Sequence, residues 1–182
     1  MKKNLIISFA LIALIVVSRL VPHVWNVAPV AAAALLAGVI LPRKWALAVP
    51  LSGMLLGDFI IGFYHVPVML TVYASFALMI YLGTWLREMQ PHRLVLASLA
   101  SSTFFFLTTN FAVWASADWY PKTWAGLQLC YTLALPFFRN TMLGDLIFTA
   151  VLFGVWALVY RHIINRRVFY GLISTLKNEH QI

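Results

Sequence analysis

Two carboxylates lie inside stretches apolar enough to cross a bilayer, each directly after a leucine and a glycine. Asp145 stands in NTMLGDLIFT, residues 140–149, and Asp58 in GMLLGDFIIG, residues 53–62. They are two of only five acidic residues in a chain of 182. A carboxylate in hydrocarbon is costly, so it is expected either at a shielded functional site or in a pairing that offsets its charge. Two readings stand for each. One is a wet site that binds a ligand group or, with a second group close by, does acid–base chemistry. The other is a structural carboxylate that caps backbone or pairs with an arginine. Cys130 is the lone thiol; it is a candidate nucleophile or apolar filler.

The elements that must hold these groups are transmembrane helices. The chain is 63% hydrophobic and 10% charged, against about a quarter charged in soluble domains. Apolar runs near span length recur. The expected fold class is all-α: a polytopic membrane bundle of six helices forming one transmembrane domain, residues 1–182. Six such helices leave no room for a soluble domain. The N-terminal MKKNLIISFALIALIVVSRL lacks a small-x-small cleavage site and reads as a retained first helix. One cysteine excludes an internal disulfide and a multi-cysteine metal cluster. There is no Walker motif, HExxH or arginine ladder, so no cofactor and no resident metal are expected. The net charge of +8 reads as topology signals and lipid contacts rather than a nucleic-acid face.

The pattern predicts helices over 4–21, 27–41, 46–62, 67–86, 94–115 and 140–160. Arg19, near the end of the first, is expected to snorkel to the interface. The second is built on small residues: Ala28 with Ala32, Ala33 with Ala37, and Ala34 with Gly38 are small-xxx-small pairs that let backbones approach. Gly53 and Gly57 form a similar face on the third, beside Asp58, and Pro50 is expected to kink it. In the fifth, Ser98, Ser102, Phe106, Asn110 and Trp114 recur every four residues and share a face. Residues 116–139 are expected to form a long connection whose AGLQLCYTLALPFF part is either a short helix or a re-entrant segment. Residues 161–182 make a basic tail.

Charge sets the orientation. With six spans and the N-terminus inside, ten of the thirteen lysines and arginines face the cytoplasm, which places both termini there. Asp58, Asn110 and Asp145 then fall in the outer halves of their helices, and the long connection lies outside. This convergence predicts one outward cavity. Its expected ligand-binding residues are Asp58, Asn110, Trp114, Trp119, Tyr120, Trp124, Tyr131, Arg139, Asn140 and Asp145. The aromatics of the connection are expected to close it, and Arg139 to pair with Asp58, Asp145 or an anionic ligand group. AVPLSGMLLGDFI and ALPFFRNTMLGDLI also look like partial repeats, each with a proline ahead of LGD.

NVAPVAAAALLAG, MLLGD, TNFAVW and GLQLCYTLALPFFRNTMLGDLIFT together resemble a family of small bacterial integral membrane proteins of uncharacterised function. More distantly, the architecture resembles the substrate-binding S components of energy-coupling-factor vitamin transporters. That resemblance implies a substrate-binding subunit of a micronutrient importer in the cytoplasmic (inner) membrane. It would capture a small molecule from outside and work with a transmembrane coupling subunit and cytoplasmic ATPases. It also implies that a small alanine face, here residues 28–37, docks the coupling subunit. A six-helix membrane scaffold and an intramembrane enzyme using Asp58 or Asp145 are the alternatives.

Overall fold

The computed structural model describes residues 2–179 except His23, Arg87 and Glu88, with side chains described over 4–162. Among the described residues the fold is all helical: α1 (Lys2–Leu20), α2 (Val30–Ile40), α3 (Arg43–Ile61), α4 (Val66–Trp85), α5 (Pro91–Ser116) and α6 (Trp124–Glu179). Among the described residues, four of these, α3 to α6, are long and apolar enough to cross a membrane, and Asn4–Leu20 of α1 and Val30–Ile40 of α2 form shorter apolar stretches. The basic residues expected in the tail beyond His162 lie outside the described side chains.

The centre of the bundle is α2. It contacts all five other helices, whereas α1 contacts only α2 and α3. Residues Val30 to Gly38 are buried on every side of the helix. Its composition makes this possible, because a run of alanines presents little bulk in any direction. At the crossing with α4, Gly38 faces Gly83: a Cβ on Gly38 would stand 2.2 Å from the Ile80 carbonyl oxygen, and one on Gly83 would stand 2.3 Å from that of Leu35. Only glycine fits at either position. Ala32, Ala33 and Ala37 are wholly buried, and Ala28 lies ahead of the helix, before the Pro29 cap. The alanine face expected to dock a coupling subunit is therefore consumed inside the bundle.

At eleven residues, α2 is about 16 Å long at 1.5 Å per residue. A bilayer core is roughly 30 Å thick. The helix axis is thus occupied along about half of a span, and the space beyond its N-terminus is left for something else.

The long connection expected over 116–139 is instead seven residues, 117–123, and α6 runs unbroken from Trp124 through Pro136. The reason is a balance of lost hydrogen bonds. An internal proline removes one N–H from the ladder. Ending one helix and starting another orphans several groups at each terminus, and in an apolar setting those have no water to turn to. The connection is held by Lys122, whose ammonium donates to the carbonyls of Trp114 and Ala117 at the end of α5. Trp114 Nε1 donates to the Pro121 carbonyl at 3.0 Å.

Candidate functional site

Beyond the N-terminus of α2 lies a cavity of about 410 Å³ to which all six helices contribute lining residues or a flanking connection. Its floor is Val30 and Ala31 in the first turn of α2. Its walls include Met54 of α3, Phe76 of α4, Phe105 of α5 and Asp145 of α6. Asn26, from the α1–α2 connection, and Tyr64, from the α3–α4 connection, stand at the same end of the bundle. The short central helix creates the space and the outer helices enclose it.

The two LGD sequences meet this region differently. In the first, Gly57 leaves room for the side chain of Arg19. The guanidinium turns inward from the end of α1 and forms an ion pair with Asp58 Oδ1. The Tyr73 hydroxyl donates to Asp58 Oδ2 at 2.7 Å, and Arg19 Nη1 also reaches Met54 Sδ at 3.2 Å. Asp58 has no exposed surface. Both of its oxygens are thus occupied, by α1 and α4, and Arg19 rather than Asp58 lines the cavity. This corrects the expectation that Arg19 snorkels outward. A fully buried carboxylate on the facing helix offers it more than the headgroup region does, because each charge is costly alone and the pair neutralises both.

In the second LGD, Gly144 lets the α1–α2 connection approach: a Cβ there would stand 3.2 Å from Val27 Cα. Asp145 lines the cavity with 5% of its surface exposed. Ser102 of α5 donates to its Oδ2 at 2.6 Å. Among the described residues, no cation pairs with Asp145 and no second hydrogen bond reaches it.

Arg139 is not the partner of either carboxylate. It is exposed, and no described residue bonds to it. Arg19 had already met Asp58. Asn140 donates to the Trp25 carbonyl at 3.2 Å and borders a shallow dip with Trp25 and Phe137. Asn110 lies in a smaller cavity of about 150 Å³ that shares Asn26, Phe105 and Thr141 with the main one, and its amide donates to the Phe106 carbonyl at 2.8 Å.

The expected aromatic cover is absent from the main cavity's lining. Trp119 is 77% exposed and Trp124 72%. Tyr120 is half-buried in the α5–α6 connection. Trp114 is tied to Pro121, and the Tyr131 hydroxyl donates to the Leu107 carbonyl at 2.7 Å. A seven-residue connection pinned by Lys122 cannot fold back across the bundle. The aromatics at the cavity are Phe76, Phe105 and, from the α3–α4 connection, Tyr64. Burial comes first, then the nearby Asp58 charge, in pushing its phenol up to about 12, with Arg19 opposing.

The four-residue seam of α5 proves to be its contact with α6. Ser102 meets Asp145, Ser98 accepts from the Thr149 hydroxyl at 3.5 Å, and Phe106 stacks on Phe138 with ring centroids 4.4 Å apart. The Asn110 carbonyl accepts from the buried Cys130 thiol at 3.5 Å. Cys130 is thus enclosed beside α5. Asp58 is enclosed by Arg19 and Tyr73, Asp145 is held by Ser102, and each is bonded to a different set of helices. Sequence reasoning expected Arg19 at the interface and Ser102 on a shared helix face, assigned neither to a carboxylate, and did not single out Tyr73. The signal for Arg19 was its position one residue from the end of α1, at the level of Asp58 in the last turn of α3.

No curated protein and no solved structure matches the chain. Residues 1–168 match the model of a family of unknown function (DUF6580), and the chain belongs to that family.

Proposed function

We propose that this protein is the ligand-capturing membrane subunit of an importer for a small, vitamin-like micronutrient. It crosses the bacterial cytoplasmic membrane six times, keeps both termini inside, and takes its ligand from the outer side. One observation carries the proposal: a cavity of about 410 Å³ beyond the short central helix, lined by Asp145, which has no cation partner among the described residues. Its size falls in the range of small-molecule sites, and its lining combines apolar walls with a few polar groups. The positive-inside count favours an outer opening, because the cavity lies at the end of α1 and the start of α2. Energy for uptake would come from a coupling subunit with cytoplasmic ATPases. Such a partner would meet the outer ring of helices, since the alanines of α2 are enclosed.

The test is native mass spectrometry of the protein purified in mild detergent, with binding of the released molecule then measured directly. Wild type should retain a small molecule, and Asp145→Ala should lose it while remaining extractable and folded. Equal retention by the two proteins would assign the ligand to some other place.

A further inference from the structure

With Asp145 ionised the cavity carries a net negative charge, and that sign narrows the ligand. Arg19 and Asp58 are one ion pair and contribute little beyond their own contact. The first turn of α2 carries no side-chain cap; its free N–H groups amount to about half a positive charge. Tyr64 remains a neutral phenol well above neutral pH. Asp145 contributes a full negative charge when ionised, which outweighs the helix end. Its Oδ2 is held by Ser102, and its Oδ1 accepts no hydrogen bond among the described residues. Among the described residues, an anionic ligand would meet this carboxylate with no unbalanced cation beside it: Arg19 Nε makes no hydrogen bond, but the guanidinium charge is balanced by Asp58, and Arg139 is exposed and outside the lining. The same lining carries an aromatic pair: Phe76 and Phe105 are tilted with centroids 5.5 Å apart, and both line the cavity.

Taking the capture reading as its basis, we infer that the ligand is a small organic cation with a flat ring. A positively charged N–H group bonds Asp145 Oδ1, and the ring lies against Phe76 and Phe105. The two contacts act together. A charge-assisted hydrogen bond in a shielded site is about twice as strong as a neutral one, and aromatic faces attract cationic rings. Asp145 in turn gains the counter-charge that the protein withholds.

Three planar probes of one shape separate charge from fit: benzamidinium, benzamide and benzoate, measured by ligand-observed NMR on the full chain in nanodiscs. Benzamidinium should bind about tenfold more tightly than benzamide or better, and benzoate should not bind. Asp145→Asn keeps the shape and the acceptor for Ser102 and should erase that preference. Asp145→Glu should retain it, which separates lost charge from lost folding. Equal binding of the three probes, or a preference unaffected by Asp145→Asn, overturns the cation inference and leaves ligand capture standing. If all three probes are too small to bind, the charge of the molecule retained through purification decides: a cationic amine or ring upholds the inference, and a neutral or anionic molecule overturns it. No probe bound and no molecule retained removes both readings.

Discussion

Gly57 and Arg19 divide one space between them: a Cβ on Gly57 would stand 2.5 Å from Arg19 Nε and 2.8 Å from its Cδ. The glycine therefore permits the ion pair. An arginine side chain is normally free to swing aside, but this one is fixed at its far end by Asp58. Gly57→Ala should displace the guanidinium and destabilise the protein by about 1–3 kcal/mol. Thermal unfolding in detergent measures the loss, and an unchanged melting temperature would show that Arg19 has another place to go.

The pair itself should be non-additive. Arg19→Leu or Asp58→Leu alone strands a charge in an apolar bundle and should cost about 3–5 kcal/mol. The double variant strands none and should be more stable than either single one. A double-mutant cycle on unfolding free energies checks this, and simple additivity would mean that the two side chains do not depend on each other.

Glycines at two depths of the bundle should respond in opposite directions. Gly38→Ala drives a methyl group into the backbone of α4 and should be strongly destabilising. Gly154→Ala meets nothing within 4 Å and should be neutral or stabilising by up to about 1 kcal/mol, the helix-propensity gain. Expression yield and melting temperature of the two variants, compared side by side, decide the matter.

The orientation can be read by labelling. In a Cys130→Ser background, Asp118→Cys in the α5–α6 connection should react with an impermeant maleimide from outside. Lys44→Cys, at the start of α3, should react only after the membrane is opened. The opposite pattern would place the cavity mouth on the cytoplasmic side and remove the capture proposal.

Tyr64 supplies an alkaline signature. Its folded pKa of about 12 lies above the ordinary 10.0, so the folded state favours the neutral phenol. That contribution is complete below about pH 10 and is lost as pH rises toward 12. Tyr64→Phe should flatten the fall in melting temperature over this window relative to wild type. Parallel curves would show that the phenol titrates normally.

Much of the architecture is legible in the amino-acid order. Apolar runs give the helices, and the alanine stretch announces a helix meant to be approached closely. The glycine before each aspartate marks close contact. Pairings between distant segments are not legible in the same way. Nothing within α1 says that Arg19 turns toward α3, because that depends on a gap at Gly57 and a carboxylate 39 positions later. Pro136 misleads for a related reason: as a helix breaker it suggests an end, but its surroundings make continuity cheaper than interruption. The serines of α5 show their shared face plainly. Whether that face meets a ligand or α6 is a tertiary fact, and Ser102 touches Asp145 at the boundary between the two.

A central helix surrounded by all the others also imposes an order on biosynthesis. Synthesis starts at the N-terminus, so α2 is made before α4, α5 and α6 exist. Its alanines then lack the helices that bury them, and the glycine that Gly38 requires is still 45 positions from being made. The nascent bundle is unsatisfied until Gly83 arrives, and the cavity has no far wall until Asp145 does. A ribosome stalled midway would leave a half-built helical bundle with an uncovered central helix, a natural substrate for quality-control proteases.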